Sequence, residues 1–121
     1  MSFLHRRSKY GVRTDAAGIE ARTIDGIVFA SLREARVYSE LKMLEKSGYL
    51  TDLRLQVRFP LVTRTPEGKD AVIGLYVADM TYQSVVSKKL VVVDAKGFKT
   101  PQYRWKKKHW ELQYGMQIEE R

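Results

Sequence analysis

Leu90-Val91-Val92-Val93-Asp94-Ala95-Lys96-Gly97 decides how the chain is read, because a run of aliphatic residues ends there in an acid and a lysine. Consecutive apolar residues, mostly β-branched, predict a buried strand, and charges at the end of a buried strand need partners or a task. If the strand continues through Lys96, its period of two puts Asp94 and Lys96 on one face and Ala95 on the other. Spacing alone leaves two readings open: a strand-end ion pair, or half of a hydrolytic site.

The strand before it bears on that choice. Ala71 to Tyr82 reads as extended, with Ile73, Leu75, Val77, Asp79 and Thr81 on one side and Val72, Gly74, Tyr76, Ala78 and Met80 on the other. The chain must then turn near Ser87-Lys88. A two-residue hairpin there sets Asp79 opposite Lys96 and Thr81 opposite Asp94; a loop two residues longer sets Asp79 opposite Asp94. In either register Asp79, Asp94 and Lys96 gather on one face. Upstream, Tyr49 to Val62 alternates Leu53, Leu55, Val57, Phe59 and Leu61 with Arg54, Gln56 and Arg58, which predicts a strand with one buried face. Thr65 to Asp70 is a turn by composition.

Two helices frame these strands. Ser31 is a good N-cap with Glu34 three residues on, Leu32, Ala35, Tyr38, Leu41 and Leu44 follow at helical spacing, and Ser47-Gly48 ends the segment. Thr100-Pro101 caps and opens a second helix, Pro101 to Tyr114, which stops at Gly115. Ile24 to Phe29 reads as a short strand or hairpin around Asp25-Gly26, and Met116-Gln117-Ile118 as a final short strand. The order predicts an α/β fold around a mixed sheet.

At 121 residues the chain suits one domain, expected over 23–121, preceded by a flexible basic arm over 1–22 that carries Arg6, Arg7 and Lys9. With no cysteine, a metal would need oxygen or histidine ligands. No apolar run approaches the roughly 18 residues of a membrane span and the N-terminus lacks a signal-peptide core, so the expected location is the cytoplasm, with no membrane partner. Twenty-two Lys and Arg against fourteen Asp and Glu leave +8. That excess reads either as solubility or as affinity for a polyanion, most plausibly nucleic acid.

Asp79, Asp94 and Lys96 have the make-up of a phosphodiester-cleaving site. Two converging carboxylates repel each other, and a hard divalent cation such as Mg²⁺, with Mn²⁺ as a substitute, relieves that repulsion. The cation would polarise a scissile phosphate, Lys96 would serve the attacking water or offset developing charge, and the Ala95 carbonyl is a further candidate ligand. The competing explanation is an Asp94–Lys96 ion pair with Asp79 capping a turn.

Taken in order, Glu34 on the first helix, Val77-Ala78-Asp79-Met80 on one strand, Val93-Asp94-Ala95-Lys96-Gly97 on the next and then a basic helix resemble the PD-(D/E)XK nuclease superfamily. Within it the chain resembles small phage-encoded nucleases of the junction-resolving endonuclease I type. The resemblance runs from about Ser8-Lys9-Tyr10 to Thr100-Pro101. It implies a metal-dependent endonuclease with a restriction-endonuclease-like core, a central mixed sheet flanked by helices, working on DNA in the cytoplasm of a phage's bacterial host. Asp79 then matches the first acid, Asp94 the second, Lys96 the lysine, and Glu34 the helical glutamate of the metal site. Ala78 departs from the pattern where it names proline, a position that orients the chain and does no chemistry. Branched DNA is the substrate implied, and cutting opposed strands of a junction calls for a homodimer.

Glu34 keeps a second explanation, because three residues after Ser31 it also makes a capping box. Gln56, on the polar side of its strand, is a possible additional site residue. In the basic helix Arg104, Lys107 and Lys108, with Lys99 ahead of them, are expected at phosphates, and most of the rings of Tyr103, Trp105, Trp110 and Tyr114 in packing. His5 and His109 lack the partners of a zinc site. Two non-catalytic classes stay open: a nucleic-acid-binding protein with a nuclease-like fold, and a protein-binding accessory factor.

Overall fold

The computed structural model describes residues 12–121. Along the chain lie α1 (Ala16–Ala21), β1 (Thr23–Ile24), β2 (Ile27–Val28), α2 (Leu32–Lys46), β3 (Leu50–Arg64), β4 (Asp70–Ser84), β5 (Leu90–Asp94), α3 (Pro101–Tyr114) and β6 (Glu119–Glu120). β1 and β2 pair as a small antiparallel ribbon. The main sheet has the order β3-β4-β5-β6, antiparallel except for the parallel β5–β6 pair, so the fold is α/β with a mixed sheet packed against helices.

The helices form where their caps and apolar spacing require. The Ser31 hydroxyl accepts the Glu34 amide at 3.1 Å to start α2, and Thr100 does the same for Tyr103 at the head of α3, with Pro101 in the first turn. α3 stops at Gly115, whose φ of +68° suits glycine. α2 lays Ala35, Val37, Tyr38 and Leu41 on one face of the sheet against Met80 and Val93, while Tyr103 and Trp110 of α3 meet Leu61, Tyr76, Ala78 and Val92 on the other. Val92 and Val93 thus serve opposite layers, which is why the run at 90–93 is apolar throughout. Complete burial of side chains such as Leu41 or Val93 contributes ~1.5–3 kcal/mol each.

α3 also closes the outer edge of β3. Gln113 accepts the Val62 amide at 2.9 Å and donates to the Pro60 carbonyl at 3.0 Å, Tyr114 donates to the same carbonyl, and His109 Nε2 lies 2.8 Å from the Val62 carbonyl. An edge satisfied by side chains is blunted against pairing with another strand.

Four expectations change. The β4–β5 pairing takes the longer of the two registers left open, Met80 with Val93 and Thr81 with Val92, but β5 ends at Asp94 instead of running on through Lys96, which lies in the loop that follows. The last strand is Glu119–Glu120, because Ile118 instead drops into the α3-side core and gives its amide to Glu111 at 2.8 Å. Within the expected arm, residues 16–21 form α1, capped by Asp15, and Arg22 donates to the Phe29 carbonyl at 2.8 Å. Arg6, Arg7, Lys9 and His5 lie outside the described residues.

The fourth change is the loss of a single buried face along β3 and β4. Leu53, Leu55, Met80 and Tyr82 pack toward α2, whereas Phe59, Leu61, Tyr76 and Ala78 pack toward α3. Simple alternation puts Leu55 with Phe59, and Met80 with Ala78, on the same side. The break falls where Gln56 adopts a φ of +51°. Leu55 pairs with Met80 and Val57 with Ala78 on either side of it, so Gln56 sits level with Asp79 and both strands turn over without a shift in register. Local irregularities of this kind re-aim a side chain, and here that side chain is Asp79.

Candidate active site

β4, the loop after β5, the first turn of α2 and the head of α3 converge on one cavity of about 420 Å³, lined by Glu34, Asp79, Ala95, Lys96, Gly97 and Tyr103 among others. Asp79 Oδ2 accepts the Ala95 amide at 2.9 Å, continuing with a side chain the ladder that the β5 backbone leaves at Asp94. Asp94 lies behind this wall and is completely buried. Its Oδ2 accepts a hydrogen bond from the Tyr76 hydroxyl. Its Oδ1 faces Lys96 Nζ at 3.2 Å in an ion pair whose angles fall outside hydrogen bonding. Lys96 in turn rests over the Tyr103 ring, 5.0 Å from its centre.

Glu34 enters from α2. It is only 6% exposed, and its Oε1 accepts from Gln56 Nε2 at 3.1 Å. Ser31 caps the helix through the Glu34 amide, which leaves the Glu34 carboxyl turned to Gln56 and the cavity. Burial first, then the charge of Asp79, pushes the Glu34 carboxyl up to about 7, against the opposing pull of Lys96 and the Gln56 bond. Asp94 is likewise pushed well above the usual carboxylate range, by burial first and then by Asp79, while Tyr76 and Lys96 hold it down. The Tyr76 and Tyr103 hydroxyls are pushed up, chiefly by burial, with the negative charge of Asp94 adding to it in both.

Three carboxyl groups therefore interact around one ammonium. Their donors are all hard oxygens, and burial first, then the neighbouring Asp79, disfavours the charged forms of Glu34 and Asp94, which a hard divalent cation such as Mg²⁺ would relieve, so the chemistry of the donor set fits that ion. Glu34, Asp79 and Asp94, with the Ala95 carbonyl, are the residues that would hold it. As they stand, no three such side chains among the described residues converge closely enough to grip an ion.

Gln56, Glu34, Asp79, Ala95, Asp94 and Lys96 are thus brought together. The expected phosphate contacts form a separate groove of about 190 Å³, where Lys99, Arg104, Lys107 and Lys108 line the wall with Tyr103, Glu111 and Glu120. Lys99 and Lys107 are engaged there by Glu120 at 3.2 and 3.7 Å, and Lys107 also by Glu111 at 3.6 Å, so that among the described residues no ion pair holds the groove's other cations, Arg104 and Lys108. Tyr76 and Arg33 were not foreseen. A tyrosine among the apolar residues of a buried strand face carries a hydroxyl that needs an acceptor, and that was the available signal for Tyr76.

Residues 7–120 match a family described as a protein of unknown function, DUF1064. The chain belongs to that family. Comparison of the DUF1064 chain with curated proteins and with solved structures finds no match. The chemistry of its site therefore rests on its own residues. Among the described residues, no helix is long and apolar enough to cross a membrane.

Proposed function

We propose that the protein is a metal-dependent endonuclease that hydrolyses DNA phosphodiester bonds, with Mg²⁺ as the ion. The observation that carries it is the meeting of Glu34, Asp79 and Lys96 at one cavity, with Asp94 buried directly behind it and paired to Lys96, and with the carboxyls of Glu34 and Asp94 pushed up by burial first and then by Asp79. The ion, when bound, supplies positive charge to a phosphate oxygen and a more acidic water. Lys96, held between Asp94 and the Tyr103 ring, offsets charge developing on the phosphate and orients the water. Asp79, fixed by the Ala95 amide, and Glu34, fixed by Gln56, hold their carboxylates in place with little reorganisation. The PD-(D/E)XK resemblance supports the same chemistry, and branched DNA cut by a homodimer is the substrate and assembly it favours.

The direct test incubates the protein with branched, duplex and single-stranded DNA, with Mg²⁺ or with EDTA. Mg²⁺-dependent cleavage that disappears in Asp94→Asn and Lys96→Ala is expected. Cleavage of none of them, or cleavage that survives both substitutions, would overturn the proposal.

A non-catalytic nucleic-acid-binding protein with a nuclease-like fold is the second reading. One observation favours it: Asp94 is fully buried with both oxygens facing Tyr76 and Lys96, as a structural ion pair would be. It predicts salt-sensitive DNA binding that persists in EDTA, without turnover.

A further inference from the structure

Beside the acid cavity lies a second basic surface that takes no part in the α3 groove. Arg33 and Arg36 stand one turn apart on α2, on one face, and both are exposed. With Arg121 they line a groove of about 370 Å³ that also includes Val37 and Glu40. Arg121 is tied to Glu40 at 3.7 Å and Glu119 at 3.4 Å. Among the described residues no ion pair holds Arg33 or Arg36. The lining therefore carries three guanidinium groups against one carboxylate.

This groove is joined to the acid cavity at both ends of its construction. Arg33 lines both spaces, and a methyl group built on Gly97 would sit 3.5 Å from its Nε, so the guanidinium stem rests on the residue that follows Lys96. Arg121 gives its backbone amide to the Asp94 carbonyl at 3.0 Å, extending the parallel β5–β6 ladder. Residues that touch the Lys96-Gly97 turn and the Asp94 backbone thus aim the arginines alongside the acids.

We propose that this groove holds the phosphate backbone of a DNA strand, with Arg33 shared between the phosphate in the acid cavity and its neighbour. The idea rests on the nuclease proposal and adds which face the strand lies on. The acids by themselves repel a phosphate. Guanidinium forks match phosphate oxygens in paired, charge-assisted hydrogen bonds, which suits them to offset that repulsion next door. The α3 groove nets the same charge but has one guanidinium, Arg104, among its cations, whereas this groove has three and shares Arg33 with the acid cavity.

The test measures binding of a short fluorescein-labelled DNA duplex and of a labelled four-way junction in EDTA across a salt series. Arg33→Ala/Arg36→Ala is compared with Arg64→Ala/Lys69→Ala, which removes the same charge at the far tip of the β3–β4 hairpin. The α2 double variant is expected to bind at least tenfold more weakly and to lose about two from the slope of log affinity against log salt, with the tip variant close to wild type. Equal losses in both variants, or no loss in the α2 variant, overturn the groove. Lost binding in a protein that never cleaves DNA leaves the groove standing and removes the nuclease proposal. Cleavage with unchanged KM in the α2 variant does the opposite.

Discussion

Gln56 donates its side-chain amide to Glu34 at 3.1 Å from a backbone held at a φ of +51° in the middle of β3. A left-handed residue inside a strand is costly for any side chain but glycine, and it persists only where the surroundings fix it. Here it turns β3 and β4 over at the level of Asp79. Gln56→Ala and Gln56→Gly both lose the bond to Glu34, but only glycine relieves the backbone. In an ordinary strand glycine is the worse of the two. At position 56 the order should reverse, with Gln56→Gly more stable than Gln56→Ala by about 1 kcal/mol in urea denaturation. Alanine equal to or above glycine would mean the position carries no strain.

Stability should fall as pH rises through the range where Glu34 titrates. The folded chain holds the Glu34 proton up to about 7, against 4.5 for the ordinary group. Between those values the folded state binds more protons than the unfolded one, so raising the pH favours unfolding, by no more than about 3 kcal/mol from this group. Asp94, also raised, adds in the same direction. Melting temperatures in EDTA should decline from about pH 5 to about pH 7.5 and then level off. Glu34→Gln should flatten the slope; an unchanged slope would place the titration elsewhere.

Tyr76 holds Asp94 through its buried hydroxyl, and that bond is one of the interactions keeping the Asp94 carboxyl from rising further. Tyr76→Phe leaves a buried oxygen without its donor, a loss of roughly 1–3 kcal/mol. Because it also raises the Asp94 carboxyl, the gap from wild type should widen between pH values of about 5.5 and 8. A gap independent of pH would reduce Tyr76 to packing.

Much of this was legible from spacing and caps. Ser31, Thr100, Pro101 and Gly115 marked the helices, and the aliphatic run at 90–93 marked the strand served by both layers. The gathering of Asp79, Asp94 and Lys96 tolerated two registers, and the one adopted brings Asp79 to the Ala95 amide. What stayed hidden was set by tertiary contact. Nothing local in Leu55-Gln56-Val57 announces a left-handed glutamine, and a period of two carries on through it. Nothing in the spacing of Arg33 and Arg36 sets them apart from a solvated helix face; it is the tertiary placement of Gly97 and Arg121 that makes them one side of a groove.

After burial, Asp79 is what pushes both neighbouring carboxyls up, and without a bound metal ion its charge works against the fold. Asp79→Asn removes that charge and keeps an oxygen for the Ala95 amide. In EDTA near pH 8 the variant should therefore melt above wild type, since two buried carboxyls ionise more easily beside an amide. With Mg²⁺ the order should invert. A site that binds the ion only when folded gains about 2.7 kcal/mol at a hundredfold excess over its dissociation constant, and that gain belongs to wild type alone. Thermal melts of both proteins across a Mg²⁺ series, with Mn²⁺ in parallel, give the comparison. An Asp79→Asn protein that melts below wild type in EDTA would show that the charge is compensated structurally. A Mg²⁺ shift that survives the substitution would put the ion somewhere other than among Glu34, Asp79 and Asp94.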